Sequence, residues 1–89
     1  MLFMVTTTWE PGKRDEMIER AKALGVESPK GVRLLGQWAD LHGGRAFRLA
    51  EVDDPKAIFL GNLAWSDLCK IEAVPVLPLE EAMSLIPAK

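Results

Sequence analysis

Residues 30–54 read KGVRLLGQWADLHGGRAFRLAEVDD, and this stretch decides the fold. Lys30 to Ala39 reads as a strand. Asp40-Leu41-His42-Gly43-Gly44 is a turn, with two glycines able to supply positive φ. Arg45 to Val52 is a second strand, so the segment is an antiparallel hairpin. Asp53-Asp54-Pro55 then supplies a helix cap followed by proline at the first helical position.

Working outward, Leu2 to Trp9 is rich in β-branched and aromatic residues and stops at Glu10-Pro11-Gly12, which makes it a strand. Pro11 opens a helix. Met17, Ile18, Ala21 and Leu24 form its apolar stripe, and Gly25 is a natural C′ residue. Glu16 and Arg20 stand four apart, as a surface ion pair would. Beyond the hairpin, a second helix runs to about Ala64. Trp65-Ser66-Asp67-Leu68 is a connector, and Lys70 to Leu77 is a fourth strand. Pro75 within it indicates an edge strand or a bulge. Leu79 to Ile86 reads as a short terminal helix, with Glu80 and Glu81 in its first turn where the helix dipole favours them. The order β-α-β-β-α-β, plus a tail helix, is that of an α+β ferredoxin-like domain. It has an antiparallel sheet ordered 4-1-3-2 and both helices on one face. Eighty-nine residues make one such domain, spanning 1–89.

An antiparallel sheet covered on one side should turn polar residues outward on the other. These strands do not. Residues 2–5 and 73–77 are apolar throughout, and Phe47 and Leu49 face opposite to Ala46, Ala50 and Val52. A second copy packing sheet to sheet would cover that face, so a homodimer is expected. A domain of this size is also marginal alone.

The chain resembles the small uncharacterised bacterial and archaeal proteins grouped as DUF3303, within the dimeric α/β-barrel superfamily. The matching residues are Met1-Leu2-Phe3-Met4-Val5, Trp9-Glu10-Pro11-Gly12-Lys13, Gly31-Val32, Gly36-Gln37-Trp38 and Gly43-Gly44-Arg45. They continue with Glu51-Val52-Asp53-Asp54, Trp65-Ser66-Asp67-Leu68 and Val74-Pro75-Val76-Leu77. The resemblance covers essentially the whole chain and implies the fold and the dimer. It implies no function. The wider superfamily includes cofactor-free monooxygenases, muconolactone isomerases, haem-dependent enzymes and ligand-binding regulatory domains, and a fold shared so widely does not choose among them.

The composition removes several chemistries. A formal charge of −2 argues against a nucleic-acid partner. One histidine and one cysteine leave no zinc site built from such ligands, and no metal or cofactor is expected. A lone Cys69 cannot close an internal disulfide, which suits a reducing, cytoplasmic location. It is read as a small hydrophobe rather than a nucleophile. No stretch approaches the roughly 20 apolar residues of a membrane helix, so no membrane partner is expected. Asp53-Asp54 is read as a cap, and Gly43-Gly44 as a turn rather than a phosphate cradle.

The remaining candidates for contacting a ligand are Thr8, Trp9, Trp38, His42, Arg45, Arg48, Trp65 and Asp67. Each also has a structural reading: tryptophans fill cores, a turn histidine is solvated, and Arg48 can snorkel to an edge or pair across the dimer. Strands 1 and 2 run the same way, so Trp9, Trp38 and Trp65 are expected at one end of the sheet, around the mouth of any pocket. The N-terminus of the first helix, near Lys13, would favour an anionic group there. Two functions follow. One is a small-molecule site, either binding or catalytic. If catalytic, the resemblance favours a cofactor-independent monooxygenase or isomerase acting on a small aromatic or carbonyl compound. The alternative is a non-catalytic dimeric ligand-sensing or protein-interaction module. An enclosed cavity with converging polar groups would favour the first, and a filled core the second.

Overall fold

The computed structural model describes residues 1–24 and 30–87. Strand β1 is Leu2–Thr8, and a 3-10 turn at Pro11–Lys13 leads into helix α1, Arg14–Leu24. Strands β2 (Val32–Ala39) and β3 (Arg45–Val52) form the hairpin. Helix α2 is Lys56–Trp65, β4 is Lys70–Pro75 and α3 is Leu79–Ser84. The sheet order is β2-β3-β1-β4, with every pairing antiparallel. The ferredoxin-like α+β fold is therefore present, with strands and helices in the expected sequence. The expected C′ role of Gly25 lies outside the described residues.

Local chemistry explains the boundaries. Pro11 starts the 3-10 turn that Lys13 closes by donating its N–H to the Glu10 carbonyl at 2.9 Å. Asp54 caps α2: its carboxylate accepts the Lys56 N–H at 3.0 Å, and its carbonyl accepts the Ala57 N–H at 2.9 Å. The hairpin turn needs its glycines, since Gly43 and Gly44 sit at φ +80° and +77°. Asp40 organises the same turn, accepting the His42 N–H at 2.9 Å and the Arg45 guanidinium at 3.0 and 3.1 Å. Strand β2 begins at Val32 rather than Lys30, because Lys30 and Gly31 form a turn in which Gly31 has φ +83°. Pro75 ends β4 on the sheet's edge, where its missing N–H costs no ladder bond.

Register assigns the two faces, because directly paired residues share a face. Phe3, Val5 and Thr7 of β1 pair with Ala50, Arg48 and Ala46 of β3. On the other side, Phe3, Val5 and Thr7 pair with Pro75, Ala73 and Ile71 of β4. This face carries the helices: buried Phe3, Ala50 and Val52 pack against Ala57 and Ile58 of α2. The opposite face pairs Met4 with Leu49 and Val74, and Thr6 with Phe47 and Glu72.

The hairpin contains a feature that plain alternation does not anticipate. Leu34 pairs with Ala50, but Gly36 pairs with Leu49, so a β-bulge lies between Leu34 and Gly36. The bulge puts Gln37, opposite Arg48, on the helix-covered face, and puts Trp38, opposite Phe47, on the outer one.

Candidate functional site

A cavity of about 380 Å³ lies between the sheet and the helices. Its floor is the inner face of the sheet, including Val5, Thr7, Leu34, Arg48 and Ile71. Its roof is Ala21 and Leu24 of α1 together with Ile58, Gly61, Asn62 and Trp65 of α2. The described walls are mainly apolar, and Arg48 is the one charged residue among them. The polar groups are few: Thr7, Gln37 and Asn62. That is the composition of a small-molecule site.

Gly61 gives the cavity a further property. It lies within α2, where glycine costs roughly 0.5–1 kcal/mol relative to alanine. A Cβ added there would meet nothing within 4 Å. An alanine would fit and would help the helix, so glycine at this position leaves the roof of the cleft open at a cost to the helix.

A second, shallower depression of about 670 Å³ opens at the end of the sheet where β1 finishes. Thr8, Trp9, Lys13, Asp67, Cys69 and Lys70 line it. Asn62 and Ile71 line both spaces, so the two adjoin. Of the groups expected together at one edge, Trp9, Lys13 and Asp67 line it.

The eight candidates divide three ways. Arg48 and Trp65 line the cleft. Thr8, Trp9 and Asp67 line the depression. Trp38, His42 and Arg45 line neither. The tryptophans do not share one pocket mouth: the bulge turns Trp38 onto the outer face, where its ring lies across Gly36. His42 is almost fully exposed in the hairpin turn, its Nδ1 3.6 Å from Asp40. Arg45 pairs with Asp40 and stacks 5.1 Å from the Phe47 ring centroid. Asp40 is held below the usual carboxylate range by the His42 N–H and by Arg45.

Asp67 is committed to a partner on the other side of the chain. Arg20 grips it with two hydrogen bonds, 2.6 and 2.9 Å, and reaches the Ala64 carbonyl at 3.1 Å. The same guanidinium lies 5.7 Å from the Trp65 ring centroid. The bidentate bond from Arg20 holds Asp67 below the ordinary carboxylate value and raises Arg20 above its own. The expected Glu16–Arg20 pair does not form: Glu16 meets Lys13 at 3.7 Å instead. A long-range partner with planar, bidentate geometry outcompetes a neighbour one helical turn away.

Cys69 donates its S–H to the Trp65 carbonyl at 3.4 Å, and burial pushes its thiol above the ordinary value. It stays protonated at neutral pH and is a poor nucleophile. Glu51 meets the Met1 amino group at 2.6 Å on the outer side of the sheet. Among the described residues, no three His, Cys, Asp or Glu side chains are grouped to hold a metal ion.

The cleft residues that sequence reasoning passed over are Thr7, Gln37, Gly61 and Asn62. Thr7 was legible in principle: once Phe3 is inward, so are Val5 and Thr7. Gln37 was not, because its side depends on the bulge. Gly36 was the available signal, since a glycine inside a strand often marks one.

The family model described as a domain of unknown function, DUF3303, matches residues 1–89. Two solved structures are similar in fold. One, from Deinococcus radiodurans, is assigned as an antibiotic biosynthesis monooxygenase. It has 15% sequence identity and a TM-score of 0.54, over 86% of this chain and 93% of that one. The other is an uncharacterised NIPSNAP domain protein from Burkholderia xenovorans, with 20% identity and a TM-score of 0.55, over 88% and 94% of the two chains. No curated protein sequence matches the chain. At these identities the two structures establish a shared fold, and the full-length match establishes the family: the chain belongs to DUF3303.

Proposed function

We propose that this chain is a small-molecule-binding domain that works as a homodimer in the cytoplasm, and that its ligand occupies the cleft between sheet and helices. The observation that carries the reading is the open cleft itself, with apolar walls, three neutral polar side chains and a helical glycine that keeps its roof clear. A volume of about 380 Å³ is at the small end of ligand pockets, which run from roughly 300 to 1,000 Å³. The cytoplasmic placement rests on the single thiol.

The fold shared with the Deinococcus protein supports a catalytic version of this reading: cofactor-independent oxygenation or isomerisation of a small aromatic or carbonyl compound. The cleft chemistry supports it less. Its described lining offers no carboxylate, imidazole or thiol to move a proton, so binding is the function stated. A pure interaction module would have no use for an unfilled core.

The test is a thermal-shift screen of small aromatic and carbonyl compounds against the wild type and Gly61→Leu. Compounds that stabilise the wild type should not stabilise the variant, whose added side chain occupies the cleft while improving the helix. Hits that stabilise both proteins equally would place the ligand elsewhere. A screen without hits, together with an unchanged nuclear magnetic resonance spectrum, would refute the binding reading.

A further inference from the structure

We infer that the cleft selects an anionic ligand, a small carboxylic acid or enolate with an apolar body, and that Arg48 is the residue that anchors the anion. The inference rests on the binding reading above and adds the chemistry of the ligand to it.

Arg48 lies at the middle of β3, an interior strand with partners on both sides. Register puts it on the same face as Ala46, Ala50 and Val52, under the helices. That face holds the buried core at Phe3, Ala50 and Val52, and Arg48, itself exposed, lines the cleft beside it. Arg48 is solvent-exposed, so its head group is hydrated through the open cleft, and two further explanations for it do not hold. No described carboxylate pairs with Arg48, whereas Arg20, Arg45, Lys13 and Lys70 each have one. Pairing with a second copy through the exposed sheet face is ruled out geometrically, since Arg48 is on the other side of the sheet. No acidic residue occurs among the cleft's described lining, so nothing there neutralises it.

The surroundings suit an anion bound in a directed way. Gln37 stands directly opposite Arg48 on β2. On β1, Val5 is opposite and Thr7 is the next inward residue, at the diagonal position. Asn62 projects from α2 into the same space. Thr7, Gln37 and Asn62 add hydroxyl and amide donors beside the guanidinium. A guanidinium takes a carboxylate through two parallel N–H···O bonds, and the amides can bind an adjacent carbonyl or hydroxyl. Leu34, Ile58 and Trp65 then supply apolar and aromatic surface for the rest of the molecule.

The test compares phenylacetate with its neutral isostere phenylacetamide, read by chemical-shift titration of the ¹⁵N-labelled protein. Phenylacetate should shift the resonances of Thr7, Gln37 and Asn62 and bind about 10- to 100-fold tighter than the amide, the range expected when a charge-assisted pair is lost. Arg48→Gln should remove that preference, and Arg48→Lys should retain only part of it, because an ammonium cannot form the fork. Rising salt should weaken the acid and leave the amide unchanged, a readout that needs no variant. If acid and amide bind the cleft equally, or Arg48→Gln keeps the preference, the anion inference fails while the site survives. If neither probe nor any neutral aromatic in the screen perturbs the cleft, the site reading fails and takes this inference with it.

Discussion

At the scale of single residues, the outer surface of β2 is set by one glycine. A Cβ on Gly36 would lie 2.4 Å from the far edge of the Trp38 ring. The indole lies across the strand only because nothing projects from position 36. Gly36→Ala therefore has to expel the ring. Because Trp38 is already 55% exposed, it can swing into solvent, and the cost to the fold should be below about 1 kcal/mol. The expected result is an altered tryptophan emission spectrum at nearly unchanged thermal stability. Unchanged emission would mean that the ring does not rest on Gly36. The same pair shows where residue-level reading stops. Trp38 is easy to single out in the sequence, but its side of the sheet depends on one extra residue in the ladder, for which Gly36 is only an indirect signal.

Among elements, helix α1 is held by few contacts, and none of its residues is buried. The Arg20–Asp67 pair ties it to the connector after α2, and so joins the two helices that roof the cleft. Asp67 titrates below its ordinary value of 3.8 because Arg20 bonds its charged form. A carboxylate depressed on folding contributes stability that is complete above its unfolded value and is lost as pH falls through the folded one. The clamp should thus hold from neutral pH down to about 4 and fail in more acid solution. Protection factors of the α1 amides, corrected for intrinsic exchange, should fall below that point in the wild type, and Asp67→Asn should show the lowered protection already at pH 7. Equal protection of α1 in both proteins at pH 7 would show that the pair holds nothing. Element types and order were legible beforehand because each strand and helix carries its own period, its turn residues and its prolines. The Arg20 partnership was not, since it joins positions 47 apart in the chain, and sequence spacing favoured Glu16. Half of the site was hidden for the same reason: Arg48 and Trp65 could be named as candidates, but that they share a cleft with Asn62 and Gln37 depends on how two helices lie over a bulged sheet.

For the whole molecule, shape and burial support the proposed homodimer. The radius of gyration is 15.1 Å, against roughly 12 Å for a compact domain of this length. Among the described residues, only Phe3, Ala50, Val52 and Leu68 are buried hydrophobics. Two apolar surfaces are left uncovered. One is the outer sheet face, with Met4, Leu49, Phe47 and Val74 at its centre and Arg33, Glu51, Arg45 and Lys70 toward its ends. An apolar centre with a charged rim is how protein interfaces are built. The other is α3 and the residues after it, where Leu79 is 77% and Leu85 71% exposed. A second copy placed face to face would bury the first surface and give the tail something to pack on. Stable pairing needs roughly 1,200–2,000 Å² of total buried surface. The expected mass by light scattering is twice 9.8 kDa. Folding coupled to assembly also predicts a melting temperature that rises with protein concentration, because association stabilises by mass action. Leu49→Arg puts a charge opposite Met4 at the middle of the face and should lower the melting temperature and abolish its concentration dependence. A wild type that scatters as a monomer at micromolar concentration, with a melting temperature independent of concentration, would leave the outer face without a partner and overturn the dimer.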